Sequence, residues 1–110
     1  MFERLLTGAI LIAPLFFTSV SAQTPLLYQK RFDQGVQFMQ TDIDQAVLVF
    51  RALYEETSAT RVQLELARSL YIAEDLEAAK VEFINVLQKP IPITVRDKVE
   101  WYLSEIQKRQ

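Results

Sequence analysis

No cysteine and no histidine occur anywhere in the 110 residues. Their absence removes disulfides, thiolate nucleophiles, zinc sites of the usual kind and the commonest general base. Glycine is nearly missing, with two residues, and proline occurs four times, so few points force a regular element to break. No glycine-rich loop exists to cradle a phosphate. A positive stripe is lacking too: the formal charge is −2, and lysines and arginines are scattered among acidic neighbours. That pattern excludes the footprint a phosphate backbone needs. What is present is 50% hydrophobic and 24% charged residues, the balance of a folded helical chain rather than a disordered one. The length allows one small domain with one core. Packing alone must hold it together.

The first 22 residues read differently from the rest. Arg4 gives a weakly positive start, Leu5 to Phe17 is apolar except for Thr7, and Val20-Ser21-Ala22 places small residues at a cleavage site before Gln23. The apolar stretch is short for a bilayer core, which needs roughly 20 helical residues. A cleaved Sec-type signal peptide over residues 1–22 is expected, with a periplasmic mature chain over 23–110. No cysteine is available for a lipid anchor, and no twin arginine signals export in the folded state.

A repeat runs through the mature chain. Asp42, Ile43, Ala46, Phe50, Leu53 and Tyr54 recur 33 positions later as Asp75, Leu76, Ala79, Phe83, Val86 and Leu87. Val62, Leu66 and Leu70 recur at the same interval as Val95, Val99 and Leu103. With a one-residue shift, Gly35, Phe38 and Met39 match Ala67, Leu70 and Tyr71.

Local signals put these matches on helices. Thr24 and Pro25 predict a first helix reaching about Gln40, and Asp42 predicts a second over 43–56 with apolar residues at the 3.6 period. Thr60 with Gln63 forms a capping-box pattern for a third over 61–73. Asp75 caps a fourth that ends near Lys89, where Pro90 and Pro92 cannot continue it, and Thr94 starts a fifth. Connections this short make consecutive helices antiparallel neighbours.

Ala67, Leu70, Tyr71, Asp75, Ala79 and Phe83, with a proline after the second helix of the pair, resemble the tetratricopeptide repeat. Arg31 and Gln63 stand where that family often has tryptophan, so the repeats are divergent. The resemblance implies an all-α fold, a tetratricopeptide-like α-solenoid of about five antiparallel helices, with repeats at about 25–57 and 58–92 and a terminal helix at about 94–108. A narrower likeness lies in Thr60 to Tyr71, Glu74 to Ala79, and Val95-Arg96 with Val99, Glu100 and Leu103. These are similar to the periplasmic repeat region of the surface lipoprotein assembly modifiers. In that family the region precedes an outer-membrane β-barrel that helps move lipoproteins or secreted proteins to the cell surface. No run of alternating strands for a barrel occurs in this sequence, so the translocation activity is not carried over.

In such a solenoid the first helix of each pair lines a concave binding surface. The corresponding positions are Gln29, Phe32, Val36 and Met39, then Arg61, Leu64, Arg68 and Tyr71, and finally Trp101. Phe32, Met39, Tyr71 and Trp101 offer grip for apolar side chains, and Arg61 and Arg68 offer pairing for a carboxylate or backbone carbonyls. An aromatic at helical spacing is equally at home covering a core, and Trp101 on the last helix equally serves to seal the stack. Tyr102, beside Leu103 and Ile106 around the fifth helix, widens its apolar face beyond one neighbour and is the predicted terminal docking face.

The acidic neighbours Glu55-Glu56 and Glu74-Asp75 do not face each other on a helix and read as solvated surface. Lys108 and Arg109 oppose the macrodipole of the last helix. The expected function is therefore non-catalytic protein binding, with an exported lipoprotein or an outer-membrane β-barrel as partner and no metal, cofactor or nucleic acid. A general periplasmic adaptor for an envelope complex is the second reading, and a hydrolase without histidine or cysteine a distant third.

Overall fold

The computed structural model describes residues 24–110, and the expected signal peptide lies outside the described residues. One compact unit spans Arg31–Gln110. Among the described residues there is no strand, and five helices follow one another: α1 Thr24–Thr41, α2 Ile43–Thr57, α3 Thr60–Ile72, α4 Leu76–Leu87 and α5 Ile93–Arg109. No described helix is long and apolar enough to cross a membrane.

Helix boundaries follow local chemistry, with two departures from expectation. Asp42 caps α2 as its short carboxylate predicts, accepting from the Gln45 N–H at 3.4 Å. The capping box at Thr60 and Gln63 does not form. Ala59 is the residue before α3, its carbonyl takes the first backbone bonds, and the Gln63 amide turns inward instead. Asp75 occupies the position before α4 but makes no side-chain cap bond. The α3–α4 junction is closed by backbone: the Asp75 N–H bonds the Leu70 carbonyl and the Glu74 N–H bonds the Tyr71 carbonyl, both at 3.0 Å. This pairing is a Schellman closure, and it puts Glu74 at φ 65°. Ser58 closes α2 similarly, at φ 53° with its N–H on the Tyr54 carbonyl. Past Leu87 the chain tightens through Gln88 and Lys89 before the prolines, and α5 starts directly after Pro92.

Contacts between elements give the packing order. α3 lies against both α2 and α4, and α4 lies against α5. Gln63 near the start of α3 bonds Glu82 late in α4, and Arg109 at the end of α5 bonds Glu74 just ahead of α4, so both pairs run antiparallel. Arg31 grips Glu56 with two parallel bonds of 2.8 and 2.9 Å, tying α1 to the far end of α2. The Glu56 carboxyl is held below its ordinary range, first by that hydrogen bond and then by the guanidinium charge. Both side chains are substantially solvated, so the pair contributes roughly 0–1 kcal/mol.

The core is the repeated set. Ala46, Phe50 and Leu53 of α2, and Ala79, Phe83 and Val86 of α4, are all buried. Val62, Leu66, Ala67 and Leu70 of α3 are buried with them, as are Val99 and Ile106 of α5. The small residues set how closely helices approach. A Cβ built on Gly35 of α1 would lie 2.6 Å from Phe50 Cζ, so α1 and the Phe50 ring are in direct contact.

Ala79 is wholly buried on α4, so Ala79→Leu should overpack that site and destabilise the fold by roughly 1–3 kcal/mol. Urea denaturation reads the loss directly. A variant with the wild-type midpoint would show that Ala79 is not at a close contact.

Candidate interaction surface

The predicted surface residues lie on α1, α3 and α5, and their fates differ. On α1, Gln29 is exposed, Val36 is 39% exposed and Met39 is half-buried. Phe32 is only 5% exposed. Its ring meets Phe50 edge-on at 5.4 Å, and the Arg61 guanidinium lies 4.0 Å from its centroid on the other helix. Phe32 is therefore a core residue with a cation as its lid, and it offers no free ring to a partner. Arg61 remains exposed.

On α3, Leu64 and Tyr71 are half-buried. Arg68 does not stand as an unpaired cation: Nη1 donates to Glu65 at 2.6 Å and Nε donates to the Tyr102 hydroxyl at 3.2 Å. Partial burial works against its charge, but the Tyr102 hydrogen bond and the Glu65 carboxylate outweigh it and push its pKa up.

On α5, Trp101 is 54% exposed and Tyr102 is half-buried. The Tyr102 ring stacks on Phe83 of α4 at 4.8 Å, and it meets Tyr71 of α3 and Trp101 edge-on, each at 5.0 Å. The neighbour that the wide apolar face of α5 requires is α3 of the same chain. Helical periodicity reveals the width of a face but not which remote element covers it. Arg109 completes the group, 5.5 Å above the Tyr71 ring and bonded to Glu74 at 3.0 Å.

A second polar group escaped the sequence reading. Gln63, buried near the start of α3, donates through Nε2 to Glu82 at 2.9 Å and accepts from Lys89 Nζ at 2.5 Å. Lys89 also donates to the Tyr54 hydroxyl at 3.1 Å. This knot joins α2, α3, α4 and the segment after α4, and its donors and acceptors satisfy each other inside the fold. It is a structural tie, with no open position for a reacting group.

Clefts on the described surface are shallow. One of about 270 Å³ lies between α4 and α5, lined by residues including Ile84, Leu103 and Ile106, and another of about 420 Å³ lies where Val47 and Leu48 face Leu70 and Ala73. Neither gathers a nucleophile with a base. Among the described residues no acidic cluster could hold a metal ion. Compared with known proteins, the chain matches no family model, no curated protein and no solved structure.

Tyr102 separates packing from hydrogen bonding. Tyr102→Ala should cost roughly 3–5 kcal/mol because three aromatic neighbours lose their partner. Tyr102→Phe should cost less, roughly 1–3 kcal/mol, because the half-buried Arg68 that loses this hydrogen bond keeps Glu65. Thermal melts of both variants test this, and equal, small losses would remove Tyr102 from the interior.

Proposed function

We propose that the chain is a non-catalytic protein-binding module of the bacterial periplasm, built as two tetratricopeptide-like repeats and a terminal helix. On this reading it resembles the repeat region of the surface lipoprotein assembly modifiers, without their β-barrel. The observation that carries this reading is the side-by-side contact of alternate helices. Arg61 of α3 caps Phe32 of α1, and Tyr71 and Arg68 of α3 meet Tyr102 of α5, with the intervening α2 and α4 packed against α3. A stack of helix pairs makes contacts of this kind, and it leaves one face of α1, α3 and α5 to receive an extended polypeptide. Val36, Leu64, Met39, Tyr71 and Trp101 supply that face with apolar surface. The lack of histidine and cysteine supports a binding role over chemistry.

The partner on this reading is an exported lipoprotein or an outer-membrane β-barrel. A photocrosslinking residue placed at Trp101 or Leu64 in cells should form adducts with such a protein, identified by mass spectrometry. The same residue at Leu48, exposed on α2, serves as control. Adducts with an envelope enzyme would favour the adaptor reading instead. Adducts formed only at Leu48, or none, would contradict both.

A further inference from the structure

Two clefts on the described surface are counterparts at the 33-residue period, and they differ in what closes them. In the first, Val47 and Leu48 of α2 face Leu70 and Ala73 of α3, and Asp75 at the head of α4 forms a third wall. In the second, Lys80 of α4 with Leu103 and Ile106 of α5 take the places of Val47, Leu70 and Ala73. Beyond that point the two copies part. α3 ends at Ile72 and the chain turns to lay α4 beside it, whereas α5 runs on to Arg109. α3 is packed between α2 and α4, but α5 packs on α4 and touches α3 through Tyr102.

Burial follows this difference. Val62 and Leu70 of α3 are buried, and their counterparts Val95 and Leu103 are only half-buried. On α4, Val81 stands in the place of Leu48 and is 54% exposed, and Ile84, its neighbour one turn on, lines the groove at 39% exposed. The covered copy shows what fits the open one. It is a helix antiparallel to α5 that buries one apolar face, as α4 buries Ala79, Phe83 and Val86.

Charge sets the polarity of that helix. Its head would fall beside Lys80, as the head of α4 falls beside Val47. Lys80 is exposed and has no ion pair among the described residues. Glu100 lies three residues before Leu103, on the same side of α5, where α3 has the buried Ala67. It too is exposed and without an ion pair among the described residues. A carboxylate in the first turn of the incoming helix and a lysine or arginine roughly two turns later would answer both charges.

We infer that the α4–α5 groove binds an amphipathic helix of a partner polypeptide, acidic in its first turn and basic further on, in the way that α4 covers α3. The groove shares no lining residue with the face proposed above for an extended segment, so the inference stands apart from that reading.

The probe is a fluorescein-labelled peptide with the sequence of residues 75–89, which opens with Asp75 and Glu77 and carries Lys80 after them. Titration with the full chain should raise its fluorescence anisotropy to saturation. Ile84→Asp in the chain should weaken binding roughly tenfold and leave the melting temperature near that of the parent, since the position is partly exposed. Lys80→Glu in the chain should weaken binding several-fold at low salt. A peptide carrying Asp75→Lys and Glu77→Lys should reverse that preference and bind the Lys80→Glu chain more tightly than the parent chain. No saturable binding, binding indifferent to Ile84→Asp, or no recovery in the charge-exchanged pair would each overturn the inference. Sedimentation of the chain alone closes the remaining route: a dimer that Ile84→Asp dissociates would make a second copy the occupant and overturn it as well. Cross-links at Trp101 and Leu64 report on the other face, so either result can fail while the other stands.

Discussion

The placement of α1 depends on one steric constraint, its close approach to the Phe50 ring across Gly35. The missing side chain leaves space that the ring fills, with Phe50 wholly buried and braced edge-on by Phe32. Without that approach α1 has no fixed position against α2, and Arg31 has no reason to reach Glu56. Ala67, Ala79 and Phe83, which the sequence aligns with Gly35, Ala46 and Phe50, likewise have no exposed surface. An interior packed this tightly leaves the helix pairs a single arrangement.

A fixed arrangement of pairs has consequences for the surface. Because α3 is packed by α2 and α4, its remaining side chains can only meet α1 and α5 or remain in solvent. Arg61 finds the Phe32 ring and Arg68 finds the Tyr102 hydroxyl. The same geometry buries Gln63, where an amide, a lysine, a carboxylate and a phenol bond one another. Loss of Glu82 or Lys89 would leave part of the buried Gln63 amide unpaired.

Much of this was legible in the residues. The period of 33 aligned Ala46 with Ala79, Phe50 with Phe83 and Leu53 with Val86, and all six are buried. The prolines after Lys89 and the short carboxylate of Asp42 marked their helix ends, because those effects act within a few residues. What was not legible acts over distance. Phe32 and Tyr102 read as surface because the rings that enclose them, Phe50 and Phe83, lie about one helix away in sequence. Gln63 read as a capping residue because its true partners, Glu82 and Lys89, follow 19 and 26 positions later. Asp75 read as a side-chain cap, yet the backbone of Glu74 had already closed the junction by taking a left-handed conformation.

The steric constraint at Gly35 makes opposite predictions under the two possible geometries. Were α1 free of Phe50, Gly35→Ala would raise helix propensity and stabilise the protein by up to about 1 kcal/mol. With the new methyl group 2.6 Å from Phe50 Cζ, the buried ring must move against its neighbours, and overpacking of about 1–3 kcal/mol outweighs that gain. The decisive measurement is the unfolding free energy of Gly35→Ala in urea. The account predicts a net loss, and a variant more stable than the parent would contradict it.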